Sequence, residues 1–120
     1  MKIIADFHIH SKYSRAVSSK MNLEELSEQG EIKGIDIIGT GDFTHPLWFS
    51  ELQNKLVIDS SSFYKLKELK NSIRFIITGE VSLIYLKNNK VRKIHLILIC
   101  PALDIAKKIN YKLSENYNLK

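Results

Sequence analysis

Two histidines separated by one residue lie near the start of the chain, in the run Asp6-Phe-His-Ile-His. Residues 3–8 are largely apolar and predict a buried strand. Because side chains alternate along a strand, His8 and His10 point to one face together with Asp6, and Ile9 points into the packing. Imidazoles beside a carboxylate are ligands that zinc and related metals prefer. The pattern therefore predicts a metal site, although two ordinary surface or core histidines are the alternative.

Further polar residues stand where later strands are predicted to end. Asp42 follows the second strand and Glu80 follows the third, each after glycine, and His95 lies inside an apolar run. The carboxyl ends of parallel strands meet at one edge of the sheet, so we expect these side chains to join the first two histidines. Such a mixed set suits Zn, Mn or Fe, and Glu80 could bridge two ions that activate water against a phosphoester.

Each of these residues also has an ordinary structural interpretation. Asp42 could cap a helix or stabilise a turn, Glu80 could be a solvated turn residue, and His95 could be a core histidine. Because all of them stand at predicted strand ends, we favour a shared site. The predicted metal ligands are His8, His10, Asp42, Glu80 and His95, with Glu80 and Asp42 as the catalytic carboxylates.

Strands and helices are predicted to alternate along the chain, which favours an α/β fold with a largely parallel sheet. A helix begins near Met21 with Asn22 as its N-cap and Glu25 three residues later, and ends at Gly30 or Gly34. The other predicted elements are strands at 3–8, 35–40 and 73–78, a hairpin of 81–86 and 91–99, and helices at 47–56, 60–70 and 103–119.

Size and composition limit what the chain can be. Its 120 residues make one domain or a piece of one, because an eight-unit α/β barrel needs about 250 residues. A net charge of +5 favours anionic partners such as nucleic acid or phosphate esters. The single cysteine, Cys100, excludes an internal disulfide and is expected in the core. Without a signal peptide or a membrane-length apolar run, we expect a cytoplasmic protein.

Four short blocks of the sequence resemble one family. They are Asp6-Phe-His-Ile-His-Ser, Gly39-Thr-Gly-Asp, Gly79-Glu80 and Ile94-His-Leu, in the order and approximate spacing of the PHP (polymerase and histidinol phosphatase) domain. Within that superfamily, residues 8–18, 33–42 and 46–48 look most like endonuclease Q. Members of that group nick DNA on the 5′ side of deaminated bases such as uracil and hypoxanthine, and at abasic sites.

The resemblance implies a role for each matching residue. His8 and His10 are expected to bind the first metal, Glu80 to bridge metals and His95 to bind the second. Asp42 stands at or beside the place where many PHP domains have the histidine of a Thr-Asp-His motif. The chain departs from the pattern in having Ser14-Arg15-Ala16 where many PHP phosphatases have an acidic ligand, and in having no histidine after Pro101.

The missing later motifs imply that residues 1–120 are a single incomplete PHP domain. The expected fold is the first four strands, with intervening helices, of a distorted (β/α)7 barrel resembling the N-terminal part of endonuclease Q. An open half-barrel exposes a sheet edge, so we expect self-association or a second chain that completes it.

Three functions fit these residues. One is a DNA endonuclease of the endonuclease Q type that uses divalent Zn, Mn or Mg. Its expected partner is DNA, and no association with a membrane is expected. The others are a small-molecule PHP phosphatase and a non-catalytic remnant that binds only metal or DNA. Whether this length of chain is an active enzyme stays open. The predicted phosphate or base contacts are Lys12, Tyr13, Arg15 and Trp48, and Trp48 could instead pack a loop.

Overall fold

A mixed six-stranded sheet forms the centre of the computed structural model, which describes residues 1–15 and 17–119. The strands are β1 (Ala5–Asp6), β2 (Ile37–Gly39), β3 (Leu56–Ile58), β4 (Tyr64–Leu66), β5 (Arg74–Lys87) and β6 (Lys90–Cys100). The helices are α1 (Leu23–Lys33), α2 (Pro46–Lys55) and α3 (Leu103–Ser114).

The order of strands in the sheet is β1-β2-β5-β4-β3, with β6 paired to β5 beyond this path. Strands β1, β2 and β5 are parallel, whereas β3, β4 and β6 pair antiparallel. The predicted α/β class is confirmed, but the expectations of four strands and of a largely parallel sheet are wrong. The seven-unit barrel stays a prediction.

The core lies between the sheet and the helices α1 and α2. Phe75 and Ile77 of β5 are fully buried together with Leu23 of α1 and Leu52 of α2. At Gly30 of α1 a methyl group would come within 2.6 Å of the Ile38 side chain, so the helix lies very close to β2. This packing fixes the central strands whose ends carry the predicted site.

The first strand is shorter and more exposed than the sequence predicts. Only Ala5 and Asp6 pair with β2, and Ile3 and Ile4 are exposed. The strand lies at the edge of the sheet with β2 as its partner, so neighbouring residues shield its apolar side chains from solvent on one side only. The prediction of a buried strand over residues 3–8 is therefore wrong, although Ile9 does pack against the core.

Residues 60–70, predicted as a helix, instead contain the turn and the second strand, β4, of a hairpin whose first strand is β3. The Asp59 side chain accepts hydrogen bonds from the amide and hydroxyl of Ser61, and Ser62 has a φ of 70°. Such local side-chain bonds and a left-handed residue favour a turn over a helix. The turn brings Leu56 opposite Leu66, and both are buried.

This turn predicts an acid-sensitive contribution to stability. The bonds from Ser61, helped by the Arg74 guanidinium, lower the pKa of Asp59 from its ordinary 3.8 to about 2. Because the folded pKa is depressed, the stabilisation is complete above the ordinary value and is lost as the pH falls from 3.8 toward about 2. Urea unfolding of Asp59→Asn should therefore show a shallower loss of stability over this range. Asp104→Asn, on exposed α3, is the control, and parallel curves for Asp59→Asn and the parent would contradict the prediction.

The three helices largely begin and end where sequence signals predict. Asn22 caps α1 by accepting a bond from the Glu25 amide at 2.8 Å, and Gly34 ends it with a φ of 72°. His45 caps α2 and Pro46 is its first residue. Helix α3 ends at Ser114, earlier than the predicted residue 119. None of the helices in the described ranges is long and apolar enough to cross a bilayer.

Strands β5 and β6 form a long hairpin that extends beyond the core. The predicted turn is confirmed, with Asn88 and Asn89 at φ values of 54° and 58°, as in a type I′ turn. The predicted strands 73–78 and 81–86 are one continuous strand, β5. Cys100 at the inner end is buried as expected, whereas most of the outer part is exposed.

Candidate metal centre

Three imidazoles surround the carboxylate of Glu80. One of its oxygens, Oε2, lies 3.0 Å from Nε2 of His8 and 2.9 Å from Nε2 of His10. The other oxygen, Oε1, lies 2.7 Å from Nδ1 of His95. The structure thus brings together four of the five residues predicted as ligands, with the two carboxylate oxygens turned to different histidines.

The elements explain this convergence. His8 and His10 lie in the segment that follows β1, and their ring centroids are 5.4 Å apart. Glu80 lies within β5 and is not in a turn, because the strand continues to Lys87. His95 of β6 lies opposite Ser82 of β5, and its Nδ1 is also 3.1 Å from the Ser82 hydroxyl oxygen. Two-residue spacing places Glu80 and Ser82 on one face of the hairpin, which is the face of His95.

The site is a partly open surface. The Glu80 side chain is 16% exposed, whereas the side chains of His8 and His95 are 60% and 51% exposed. His95 is therefore not a core histidine. The hydrogen bond with His8, aided by the charges of His10 and His95, lowers the pKa of Glu80. Glu80 is consequently an anion at neutral pH, as a metal ligand requires.

The donor atoms fit a divalent metal. His8, His10 and Glu80 each offer one ligand atom, and these three atoms lie within 4.8 Å of one another. Atoms bound to one zinc at about 2.0–2.2 Å lie roughly 3–4 Å apart, so only a small adjustment is needed. Two nitrogen ligands and one carboxylate suit Zn or Mn better than Ca. His95 provides a further nitrogen on the other oxygen of Glu80.

Asp42, the fifth predicted ligand, lies behind His10. Its Oδ1 is 3.1 Å from Nδ1 of His10, and its Oδ2 accepts bonds from the amide and hydroxyl of Ser11 at 2.6 and 2.7 Å. Both carboxylate oxygens are thus engaged by the loop that carries the histidine. Asp42 does not cap α2, because His45 occupies the cap position.

The loop after β2 is fixed to β5 by two buried threonines. The hydroxyl of Thr40 accepts a bond from the Thr78 amide, and the hydroxyl of Thr78 accepts one from the Gly41 amide at 2.9 Å. Ser11, which anchors Asp42, is also fully buried. Sequence reasoning missed these three hydroxyl residues. The available signal was their position directly beside a predicted ligand or a glycine.

Gly41 is required where the loop after β2 crosses the segment that carries His8 and His10. Its φ is 65°, and a methyl group at this position would lie 2.0 Å from the Ile9 carbonyl oxygen. We expect Gly41→Ala to cost more than the about 1–2 kcal/mol of a left-handed alanine, because the backbone before His10 must also move. Gly34→Ala is the control, since its φ is 72° and the space around it is open. Equal losses in chemical denaturation would contradict the role of the close contact.

The predicted nucleic-acid contacts have different outcomes. Trp48 is fully buried and its indole N–H donates to the Thr40 and Gly41 carbonyls, so a base cannot stack on it and that prediction is wrong.

Lys12 forms a 2.7 Å ion pair with Glu51, and the hydrogen bond to Glu51 raises its pKa. Tyr13 stacks on His45 with ring centroids 4.6 Å apart. Arg15 is exposed, and Ala16 lies outside the described residues. Contacts of Lys12, Tyr13 and Arg15 with phosphate or base stay predictions.

The chain spans only a small part of the proteins that it resembles. No family model matches it. An uncharacterised protein of Methanocaldococcus jannaschii is 38% identical over 94 residues, which are 78% of this chain and 9% of that protein. The crystal structure of the lesion-specific endonuclease Q of Pyrococcus furiosus matches with a TM-score of 0.78 and 28% identity, over 98% of this chain and 27% of that one.

A second solved structure is endonuclease Q in complex with a 27-mer duplex substrate that has an abasic lesion at the active site. It matches with a TM-score of 0.75 and 29% identity, over 95% of this chain and 26% of that one. In both sequence and fold, the chain is thus similar to about a quarter of endonuclease Q.

Proposed function

We propose that the chain forms the metal-binding part of a metal-dependent DNA endonuclease of the endonuclease Q kind. The observation that carries the proposal is the carboxylate of Glu80 between His8 and His10 on one side and His95 on the other. The similarity to endonuclease Q over nearly the whole chain supports DNA as the substrate class. The proposed reaction is cleavage of the phosphodiester 5′ of a deaminated base or an abasic site.

The residues divide the proposed chemistry between them. Bound divalent ions, Zn, Mn or Mg, would supply an activated water and would stabilise charge on the phosphate oxygens and the departing oxygen. His8 and His10 hold one side of the site, and His95 holds the other. Glu80 presents a separate oxygen to each side, which is the arrangement that a bridging carboxylate needs. Its lowered pKa keeps it anionic during turnover at neutral pH.

A nicking assay on defined duplexes tests the proposal. The full chain, loaded with Zn or Mn, is incubated with duplexes containing one uracil, one hypoxanthine or one abasic site, beside an undamaged duplex. We expect 5′ nicks at the lesion that Glu80→Gln abolishes and that Glu31→Gln, on the exposed side of α1, leaves intact. Metal binding without any nicking would reduce the chain to a metal-binding remnant. Hydrolysis of p-nitrophenyl phosphate without nicking would instead indicate a small-molecule phosphatase.

The free edge of β6 predicts self-association of the chain. Within the described ranges β6 pairs with β5 alone, and Ile97 and Ile99 on it are 37% and 52% exposed. The outer part of β6 carries lysine and arginine, but residues 96–99 are all apolar. Such an apolar stretch of edge invites pairing with another strand, from a second copy or from another chain that completes the sheet. We expect light scattering after gel filtration to show dimers or larger species, and Ile99→Lys to reduce them.

The matched control for this prediction is Ile32→Lys. Ile32 is 75% exposed on α1 and lies away from any sheet edge, so the added charge should not change the oligomeric state. A monodisperse monomer of the parent chain would contradict the prediction.

A further inference from the structure

The His10 ring has a carboxylate at each of its two nitrogens. Nδ1 is 3.1 Å from Oδ1 of Asp42, and Nε2 is 2.9 Å from Oε2 of Glu80. The two carboxylates differ in their surroundings. Glu80 faces the other predicted ligands, whereas Asp42 faces the backbone of the loop that carries His10.

The contacts of Asp42 fix which atom donates in each bond. Its Oδ2 accepts from both the amide and the hydroxyl of Ser11, and the Ser11 hydroxyl oxygen in turn accepts from the Tyr13 amide at 3.2 Å. A carboxylate offers only acceptors, so Nδ1 of His10 must carry the proton in the bond to Oδ1. The lone pair of a neutral ring then lies on Nε2, the nitrogen that faces Glu80.

In that neutral form Nε2 of His10 and Oε2 of Glu80 are two acceptors 2.9 Å apart, and they repel unless a proton on Nε2 or a metal ion lies between them. A metal ion bound by both Nε2 and Glu80 removes that repulsion. A carboxylate that accepts from the second nitrogen of a ligating histidine also makes the ring a better donor to the metal and fixes its orientation.

We propose that Asp42 is a positioning residue that fixes His10 as the Nδ1–H tautomer and thereby presents Nε2 to the metal, a role that rests on the metal centre proposed above. This differs from the sequence-based assignment of Asp42 as a ligand and catalytic carboxylate. The loop holds the Asp42 backbone at a φ of 47°, directly after the close contact of Gly41 described above.

Asp42→Asn is a sharp test because an amide cannot serve both partners. If its oxygen accepts from the Ser11 amide, its NH₂ group faces Nδ1 and forces the proton onto Nε2. If the amide is reversed, its NH₂ group opposes the Ser11 amide. The change is nearly isosteric, so the fold should persist while the tautomer or the loop contact is lost.

The experiment measures zinc affinity by competition with a chelator, and the ring N–H signals of the zinc-loaded full chain by ¹H–¹⁵N NMR. We expect a protected Nδ1–H of His10 in the parent chain and its loss in Asp42→Asn, with zinc affinity lower by about 10- to 100-fold. Ser11→Ala, which removes one donor to Asp42, should weaken affinity by less. It is also the second variant if Asp42→Asn does not fold, as thermal melts would show.

Asp104→Asn, at an exposed position in the first turn of α3, is the matched control, because it makes the same chemical change on a helix that carries none of the predicted ligands. Unchanged zinc affinity in both Asp42→Asn and Ser11→Ala would overturn the inference. An unprotected Nδ1–H of His10 in the zinc-loaded parent chain would also overturn it, because the bond from that nitrogen to Asp42 would then be absent. Failure of the parent chain to bind zinc would instead overturn the proposed function, and the inference with it.

Discussion

Replacing Glu80 by glutamine is expected to abolish metal binding. The amide removes the negative charge and leaves one oxygen for histidines that now face both oxygens of a carboxylate. The loss of affinity should exceed the about 10- to 100-fold that follows removal of a group behind a ligand. Metal content by mass spectrometry after dialysis measures the effect, with Glu31→Gln treated in parallel.

His95→Ala separates the two sides of the site. It leaves His8, His10 and Glu80 within reach of one ion, so zinc should remain bound while any second ion is lost. Equal zinc in Glu80→Gln and the parent chain would exclude Glu80 as a ligand. Complete loss of zinc in His95→Ala would show that the three-ligand group cannot hold an ion without it.

Trp48→Ala is expected to be the most destabilising single substitution among those considered. The side chain is fully buried, and its removal leaves a large cavity between α2 and the loop after β2. Truncations of this kind cost about 3–5 kcal/mol. Urea denaturation monitored by circular dichroism measures the free energy of unfolding, since the indole fluorescence is lost with the residue.

Trp48→Phe isolates the hydrogen bonds from the packing. It keeps an aromatic ring but removes the N–H that donates to the Thr40 and Gly41 carbonyls. Leaving buried acceptors without a donor costs roughly 1–3 kcal/mol, so this variant should lie between the parent chain and the alanine variant. A cost of less than about 1 kcal/mol for Trp48→Ala would mean that the site is not packed as described.

The sequence predicted the ligand cluster better than the sheet. His8 and His10 were predicted to lie together because they are two residues apart, and they do so although the strand ends at Asp6. Glu80 and His95 could be placed because glycine and apolar runs marked their strands. Asp42 was correctly predicted to lie near the histidines. Its hydrogen bonds with Ser11 could not be predicted, because they depend on a loop geometry that residue spacing does not determine.

The errors have a common physical cause, which is that tertiary pairing decides between local alternatives. Phe63, Leu66 and Leu69 have helical spacing, yet the Asp59 turn and the pairing of β4 with β3 and β5 place Leu66 in a strand. The role of Trp48 could not be read from the sequence either. A tryptophan two residues after a proline could either stack on a base or pack in the core. Only its contacts with Thr40 and Gly41 distinguish these two roles.

Because the hairpin is exposed, the two sides of the metal site differ in local stability. Glu80 lies midway along β5, directly after the buried residues 77–79, whereas His95 depends on a ladder whose outer residues Ile84, Leu86 and Val91 are about 70% exposed. That ladder can open by local fraying without global unfolding, so its amide hydrogens should exchange with solvent far sooner than those of Ile76 and Ile77. Warming would then withdraw the His95 imidazole while His8, His10 and Glu80 remain assembled.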